Sequence, residues 1–329
     1  MTAPSEPAAP QDVRVGILVL NYHHPVETLD CVRRLLEREP GTSRVLWIEN
    51  DARTTNAEAL AVLQASDLPF AVLDPAKLSL PPPGTIGVLL IPENLGYAGG
   101  NNVGLRFLES LAVPYAWVLN NDTLLLKGNS ETLVQAATAR PEVGLWGTTI
   151  LAEHARSAPQ LVSYMGGHVD LDDFSIALVD SAAVLETDPL AYVSGCSLFA
   201  SIETFRALDY IPHDYFLYYE DPALTLEARK RGYQVSAVPE VQVHHLESLS
   251  TGRRSPLMEF YNRRNRWFFI QRYFPEHLAG QKLRIWYRIQ KWVFRARFDR
   301  IRIEILAFLD FRRGRIGRTH RTFSRKLSK

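Results

Sequence analysis

The chain has 329 residues, 46% of them apolar and 22% charged, with a formal net charge of +1. Such a composition excludes a wholly disordered chain, and the length allows one α/β domain of about 200–250 residues plus an extension. Only two cysteines occur, Cys31 and Cys196, far apart in sequence. They exclude a disulfide framework and a zinc-ligand spacing, and fit a reducing cytoplasm.

Residues 1–12, rich in Ala, Pro and Ser, read as a disordered tail without the basic start and apolar core of a signal peptide. Val13 to Leu20 is an apolar run with β-branched residues, read as the first strand and ending in Asn21-Tyr22-His23-His24-Pro25. A helix is predicted from Val26 to Arg38, with Leu29, Val32, Leu35 and Leu36 at helical spacing and Pro40-Gly41 to end it. Arg44 to Ile48 is a second strand, ending in Glu49-Asn50-Asp51, and a helix over Asn56 to Gln64 follows. Phe70 to Leu73 and Gly87 to Ile91 read as short strands, split by Pro81-Pro82-Pro83-Gly84. A segment with three glycines, Glu93 to Asn102, opens a helix to Ser110. The strand Tyr115 to Leu119 then ends in Asn120-Asn121-Asp122-Thr123. In the second half Val143 to Leu151, Ala191 to Ala200, Gln234 to Pro239 and Val241 to His245 read as strands. A helix over Pro222 to Arg231 is closed by Gly232, and helices rich in Arg and aromatics run from Pro256 onward. Strands alternating with helices define the α/β class with a mostly parallel, doubly wound sheet. Each strand ends in polar residues, which would line the edge where open α/β sheets bind ligands.

Four constellations could carry chemistry. The Asn/Asp cluster at 120–123 puts oxygen ligands at a strand end, suited to Mg²⁺ or Mn²⁺ bridging to phosphate; the same residues also make turns and caps. The glycines at 96, 99 and 100 would let backbone N–H groups approach a phosphate, with a helix dipole behind them, or they form only a turn. This is neither a Walker loop nor a Gly-x-Gly-x-x-Gly pattern. Glu220-Asp221 follows the run Tyr215 to Tyr219. The pair is either a helix cap, with Pro222 at the first helical position, or a general base whose pKa an apolar wall raises. His244-His245 ends a strand; adjacent strand residues face opposite ways, so one of the two would reach a given site as a metal ligand, and a buried or surface histidine with no such role is the alternative.

Together and in this order, these segments resemble the family 2 glycosyltransferases, in their rhamnosyltransferase-like branch with the GT-A fold. The matching residues are Val19-Leu20-Asn21-Tyr22, Glu49-Asn50-Asp51, Glu93 to Asn102, Leu119-Asn120-Asn121-Asp122, Val193-Ser194-Gly195-Cys196, Tyr219-Glu220-Asp221, Val243-His244-His245 and Arg264-Asn265, spread over residues 13–270. The resemblance implies a GT-A (Rossmann-like) domain over residues 13–255, with a nucleotide-binding half, 13–125, and an acceptor half, 126–255, followed by a basic aromatic helical extension, 256–329. It implies a nucleotide-sugar donor, a divalent metal (Mg²⁺ or Mn²⁺) and inversion at the anomeric carbon. Asn21 and Tyr22 would border the base, Asp51 would hydrogen-bond base or ribose, and Gly99, Gly100 and Asn101 would pass close to the nucleotide, with Asn94 and Asn121 in the same set. Asp122 would hold the metal, with His244 as second ligand and His245 as the alternative. Asp221 would be the general base, with Glu220 beside it. Asn120 stands where the family's Asp-x-Asp motif has its first Asp. Ala223 stands where many relatives have a further Asp, and Leu246-Glu247-Ser248 where they often have glycines.

The donor expected first is dTDP-rhamnose, then UDP-galactofuranose or another UDP-sugar, and the acceptor a cell-envelope saccharide or lipid-linked saccharide. A nucleotide-sugar-binding module without turnover is the rival. A nucleotidyltransferase would need a Lys- or Arg-bearing glycine-rich loop near the first strand, which residues 21–25 lack. No run of about 18 apolar residues occurs, so no spanning helix is expected. Residues 281–329 hold 16 Lys/Arg against 3 Asp/Glu, a net of +13, leaving −12 on the rest. Arginines interleaved with Trp286, Tyr287, Trp292 and Phe294 fit a peripheral membrane contact at the inner face of the cell membrane; nucleic acid, not expected here, or simple packing on the catalytic domain are the alternatives.

Overall fold

The computed structural model describes residues 13–154, 160–246, 255–319 and 321. The 1–12 tail and Glu247-Ser248 lie outside the described residues. The first half runs β1 (Val15–Asn21), α1 (Pro25–Leu36), β2 (Ser43–Asn50), α2 (Ala52–Ala65), β3 (Phe70–Val72), β4 (Ile86–Ile91), α3 (Gly96–Ser110), β5 (Tyr115–Asn120), β6 (Thr123–Lys127) and α4 (Ser130–Ala139). The second runs β7 (Val143–His154), β8 (Gln160–Tyr164), β9 (Gly166–Val169), β10 (Ile176–Val179), α5 (Ala182–Thr187), β11 (Ala191–Val193), β12 (Ser197–Ser201), α6 (Ile202–Ala207), α7 (Glu220–Lys230) and β13 (Gln234–His245). Three helices close the chain: α8 (Pro256–Tyr273), α9 (Leu278–Phe294) and α10 (Phe298–Arg312).

One ten-stranded sheet has the order β3-β4-β2-β1-β5-β12-β7-β13-β6, with β8 on β7, and a small antiparallel sheet has the order β10-β9-β11. The first five strands are all parallel, and β12 then enters antiparallel beside β5. Chain order reverses at β1, which has β2 on one side and β5 on the other. That is the switch point where open α/β sheets leave a crevice. Registers Asn21↔Glu49 and Leu20↔Asn120 bring the polar ends of β1, β2 and β5 to one edge. This is the α/β architecture expected from the sequence.

Helices cover both faces, which is why β1 is apolar throughout rather than alternating. Ile17 and Val19 meet α1 and α2 residues such as Val32 and Leu63 on one face, while Leu18 meets Leu105 and Leu108 of α3 on the other. Gly100 and Gly104, one turn apart on α3, set the approach of that helix: a Cβ on Gly100 would stand 2.5 Å from Leu20 and one on Gly104 2.6 Å from Ile48.

Ala191 to Ala200 is not one strand but two, β11 and β12, broken by the turn at Ser194-Gly195-Cys196. Gln234 to His245 is one strand, because a register shift between Val238 and Gln242 lets it pass Pro239. The short elements β6, α4 to α6 and the small sheet were absent from the sequence reading. Helix α8, read there as part of the extension, buries Phe260, Tyr261, Trp267, Phe269 and Ile270, and packs with Tyr215, Tyr219 and Phe174 of the catalytic body.

Beneath the edge, Glu49 is fully buried and accepts from Asn21 Nδ2 (2.8 Å), Trp47 Nε1 (2.8 Å) and the Thr55 hydroxyl. Glu49→Ala would strand these donors. It is expected to lower stability by about 3 kcal/mol or more in urea unfolding, whereas Glu49→Gln, which keeps part of the network, is expected to lose less.

Candidate active site

Two carboxylate centres face one turn. Asp122, 5% exposed, sits in the tight turn joining β5 to β6, and its Oδ1 lies 3.1 Å from His245 Nε2. Asn120 Nδ2 is 3.4 Å from that same Nε2, and the Tyr164 hydroxyl is 3.3 Å from Nδ1. Burial opposes charge on this ring, but the Cys196 sulfur and Asp122 outweigh it and raise its pKa. The second centre is Asp221, half-buried, whose Oδ2 accepts from Gly195 N–H at 3.3 Å. The Gly195 carbonyl accepts from the Tyr97 hydroxyl of α3, and the Cys196 carbonyl accepts from Asn120 N–H at 3.0 Å. The turn 194–196 therefore joins both centres, and its backbone fixes their relation.

The metal-ligand expectation is corrected in one respect: the histidine beside Asp122 is His245, not His244. Their side chains leave opposite faces of β13, and His244 Nε2 is buried without a hydrogen-bond partner. A divalent cation at this pair would have to displace the proton that the ring shares with Asp122. Adjacent ligands around an octahedral Mg²⁺ with bonds of about 2.1 Å stand about 3 Å apart, close to the Asp122–His245 separation of 3.1 Å. Tyr164 at the other ring nitrogen supplies the outer hydrogen bond that ligating histidines use. Among the described residues no group of three or more His, Cys, Asp or Glu side chains could hold an ion. Two protein ligands would thus be completed by phosphate oxygens and water.

Capping is not the role of Asp221. Helix α7 begins at Glu220, with Tyr219 in the N-cap position at φ +77° and no side-chain cap, so Asp221 is free to face Gly195. Burial pushes its carboxyl up, against the opposing effect of the Gly195 N–H. Glu220 is 6% exposed, its Oε2 has no hydrogen-bond partner, and burial and then Asp221 raise its pKa. Ala223 is fully buried among Tyr215, Tyr219 and Phe269, where an acidic side chain would find no water.

The loop before this pair is left-handed at Phe216, Tyr218 and Tyr219, with φ of 68°, 68° and 77°. Such backbone costs about 1–3 kcal/mol per residue and persists only where surroundings hold it. Here the holder is fully buried Asn265 of α8, whose Nδ2 donates to the carbonyls of Tyr215 (2.9 Å), Leu217 (2.7 Å) and Tyr218 (3.0 Å). Arg264 donates to Asn265 Oδ1 through Nε (3.0 Å) and Nη2 (2.9 Å), and through Nη1 to Gly317 O (2.7 Å).

The residues expected at the donor divide into exposed and internal. Tyr22 is 40% exposed at the edge. Asp51 is half-buried at φ +94°, its side chain not engaged in capping α2. Asn21 is fully buried: besides Glu49 it bonds His24 N–H (3.2 Å) and the Thr28 hydroxyl (2.9 Å). Asn121 Nδ2 donates to that hydroxyl at 2.9 Å. Asn94 Oδ1 accepts from Gly96 N–H (2.8 Å) and Asn50 Nδ2 (3.1 Å). At Gly96, φ is +77° and a Cβ would meet Phe216 O at 2.2 Å, so only glycine fits. Gly99, Gly100 and Asn101 lie within α3 rather than in a loop. Gly100 packs on Leu20, while buried Asn101 keeps its Oδ1 without a hydrogen-bond partner. The sequence reading gave no role to Asn50, Tyr97, Tyr164, Asn265 or Arg318, whose Nη1 lies 3.4 Å from the Asn94 carbonyl. Of these, Asn50, Tyr97 and Asn265 fell within motifs that it quoted.

The fold is that of the GT-A glycosyltransferases. Among solved structures, the chain is similar to GalNAc-T7 crystallised with UDP, GalNAc and Mn²⁺, at a TM-score of 0.51 and 11% identity over 72% of this chain. It is also similar to the 1–349 fragment of S. aureus TarS in complex with UDP-GlcNAc, at a TM-score of 0.50 and 16% identity, covering 91% of this chain and 80% of that one. The chain spans only 44% of the GalNAc-T7 chain. No family model matches the chain, and no curated protein does.

Asn265→Ala removes the clamp on the left-handed loop. It is expected to lower turnover at least tenfold while donor-nucleotide affinity, measured by calorimetry, changes by less than threefold. Stability is expected to fall by about 2 kcal/mol.

Proposed function

We propose that the protein is an inverting glycosyltransferase that moves a sugar from a nucleotide diphosphate to a saccharide or lipid-linked saccharide of the cell envelope. The observation that carries this reading is the 194–196 turn, which joins a metal-competent Asp122–His245 pair to a base-competent Asp221. The donor would lie along the edge made by β1, β2 and β5, with Tyr22 and Asp51 beside the nucleoside. Asp122 and His245 would hold a divalent cation, which supplies charge neutralisation for the departing diphosphate. Asp221 would take the proton from the acceptor hydroxyl as that oxygen bonds the anomeric carbon and the sugar–phosphate bond breaks. Glu220, kept neutral by burial, would avoid a second charge beside the base.

dTDP-rhamnose is the donor proposed first, from the resemblance. A UDP-sugar is the alternative, supported by the UDP and UDP-GlcNAc of the two solved neighbours. A binding module without turnover is the second reading, favoured by having only two protein metal ligands. The cytoplasmic face of a membrane is the proposed location. No helix among the described residues is long and apolar enough to cross a membrane, and the basic aromatic helix α9, with four Lys/Arg and no acid, supports peripheral contact.

A thermal-shift panel of dTDP, UDP, GDP and CDP, each with and without Mn²⁺, tests the donor site. Binding to the native state raises Tm by mass action, and a Mn²⁺-dependent rise with dTDP or UDP is expected; no shift with any nucleotide overturns the reading.

Asp221→Asn is expected to abolish transfer and keep the nucleotide shift; retained turnover would remove Asp221 from the base role. Because burial raises its pKa, the acid limb of the wild-type rate profile is expected above the usual aspartate range, as protonation with falling pH disarms the base. Stability runs the opposite way to activity. A raised folded pKa favours the protonated native state, so stability is lost as pH rises through it. Asp221→Asn, uncharged throughout, is expected to show a Tm at neutral pH no lower than wild type.

A further inference from the structure

The outer faces of α9 and α10 carry two adjoining depressions. The first is a cleft of about 570 Å³ whose polar lining is three cations, Arg284, Arg288 and Lys291, against a single carboxylate, Asp173. Arg284 is also tied to exposed Asp172 at 3.2 Å, and Lys291 lies 4.7 Å over the Tyr287 ring. Behind the cleft stands Arg266, 8% exposed, which acts electrostatically on both Asp173 and Arg288. Its Nε has no hydrogen-bond partner. Burial lowers the Arg288 pKa most, and Arg266 and Arg263 lower it further against Glu304 and Asp173. The second depression is a groove of about 210 Å³ between α9 and α10, walled mostly by apolar side chains including Trp267, Ile285, Ile305 and Phe308, with Lys282 and buried Glu304 also in its lining. Trp286 lines both.

Around their mouths Leu283, Trp286, Tyr287, Phe294 and Phe298 are each more than half exposed. Leu283, Trp286 and Tyr287 stand at i, i+3 and i+4 and share one face of α9. Exposed apolar side chains gathered on one helix face mark an interaction site. Trp and Tyr beside Lys and Arg, over an apolar face, is the pattern of a helix lying in a lipid interface.

We infer that the α9–α10 hairpin is a lipid-binding site for a bilayer containing anionic phospholipid. The phosphate headgroup would sit in the Arg284–Arg288–Lys291 cleft, an acyl chain would enter the groove under Trp286, and the exposed aromatics would lie at headgroup depth. A nucleic acid would satisfy the cleft but has no chain to fill the groove. An apolar protein helix would fill the groove but leave the cations unmatched. The site deepens the peripheral-membrane reading and rests on it, but is independent of the sugar-transfer reading.

Flotation of the full chain tests it, using vesicles of phosphatidylcholine alone or with phosphatidylglycerol. Three proteins are compared: wild type, Trp286→Ala, and the Arg284→Glu/Lys291→Glu double variant. All three positions are solvent-exposed, so the variants are expected to melt like wild type and keep the nucleotide-induced thermal shift. Wild type is expected to float with phosphatidylglycerol vesicles and weakly without it, and each variant to lose about tenfold or more in partition coefficient. If the charge variant alone loses binding, the hairpin is a basic patch without a lipid groove and the site is overturned. If wild type and both variants float alike, membrane contact lies elsewhere and only this site falls. If wild type floats with neither vesicle, the peripheral reading falls with it, while the nucleotide shift still decides the transferase reading separately.

Discussion

One peptide unit governs the geometry of the site. Gly195 gives its N–H to Asp221 and its carbonyl to the Tyr97 hydroxyl, while Cys196, next along the chain, gives its carbonyl to Asn120 N–H and sets its sulfur against His245. A base and a cation-binding pair must stand on opposite sides of a reacting sugar at a fixed separation. Side chains on separate loops would hold that separation poorly. Here it is set by backbone that leads into β12, a buried strand between β5 and β7. Gly195 can do this because it has no Cβ: one would stand 3.1 Å from the Tyr97 hydroxyl.

The edge is expensive to build, since buried polar groups must find partners. Glu49 gathers Asn21, Trp47 and Thr55, and Asn50 gathers Asn94, Leu95 and Gly96. The first set fixes the chain leaving β1, and the second fixes the chain entering α3. Between them stand exposed Tyr22 and half-buried Asp51. The polar residues of this edge thus divide into those that shape it and those that face outward.

That division was the part hidden in the sequence. Alternating apolar strands and helices made the α/β class readable, and the Asn/Asp cluster and the Glu-Asp pair stood out as residue types. Their orientation did not. Gly99 and Gly100 read as part of a phosphate-approaching turn, yet both lie in α3, where Gly100 and Gly104, four apart, form a helix face pressed on the sheet. Asn21 and Asn101 looked available and are fully buried. The choice between His244 and His245 depended on the register shift beyond Val238, which composition does not reveal. Asn265 was quoted only as part of a motif, because its partners are carbonyls, and carbonyls carry no residue identity.

The position of Asn265 also explains why the C-terminal helices cannot be separated from the fold of the site. Two neighbouring carboxyls with raised pKa values and three left-handed aromatic residues all work against the folded state. No element of the parallel sheet reaches that loop; α8 does, through three hydrogen bonds from one amide. Two residues further along α8, Trp267 stacks on Phe311 of α10 and walls the apolar groove. The helix that holds the left-handed loop is therefore the same helix on which α10 packs. The loop and α10 thus share one support, which ties their stability rather than their chemistry together.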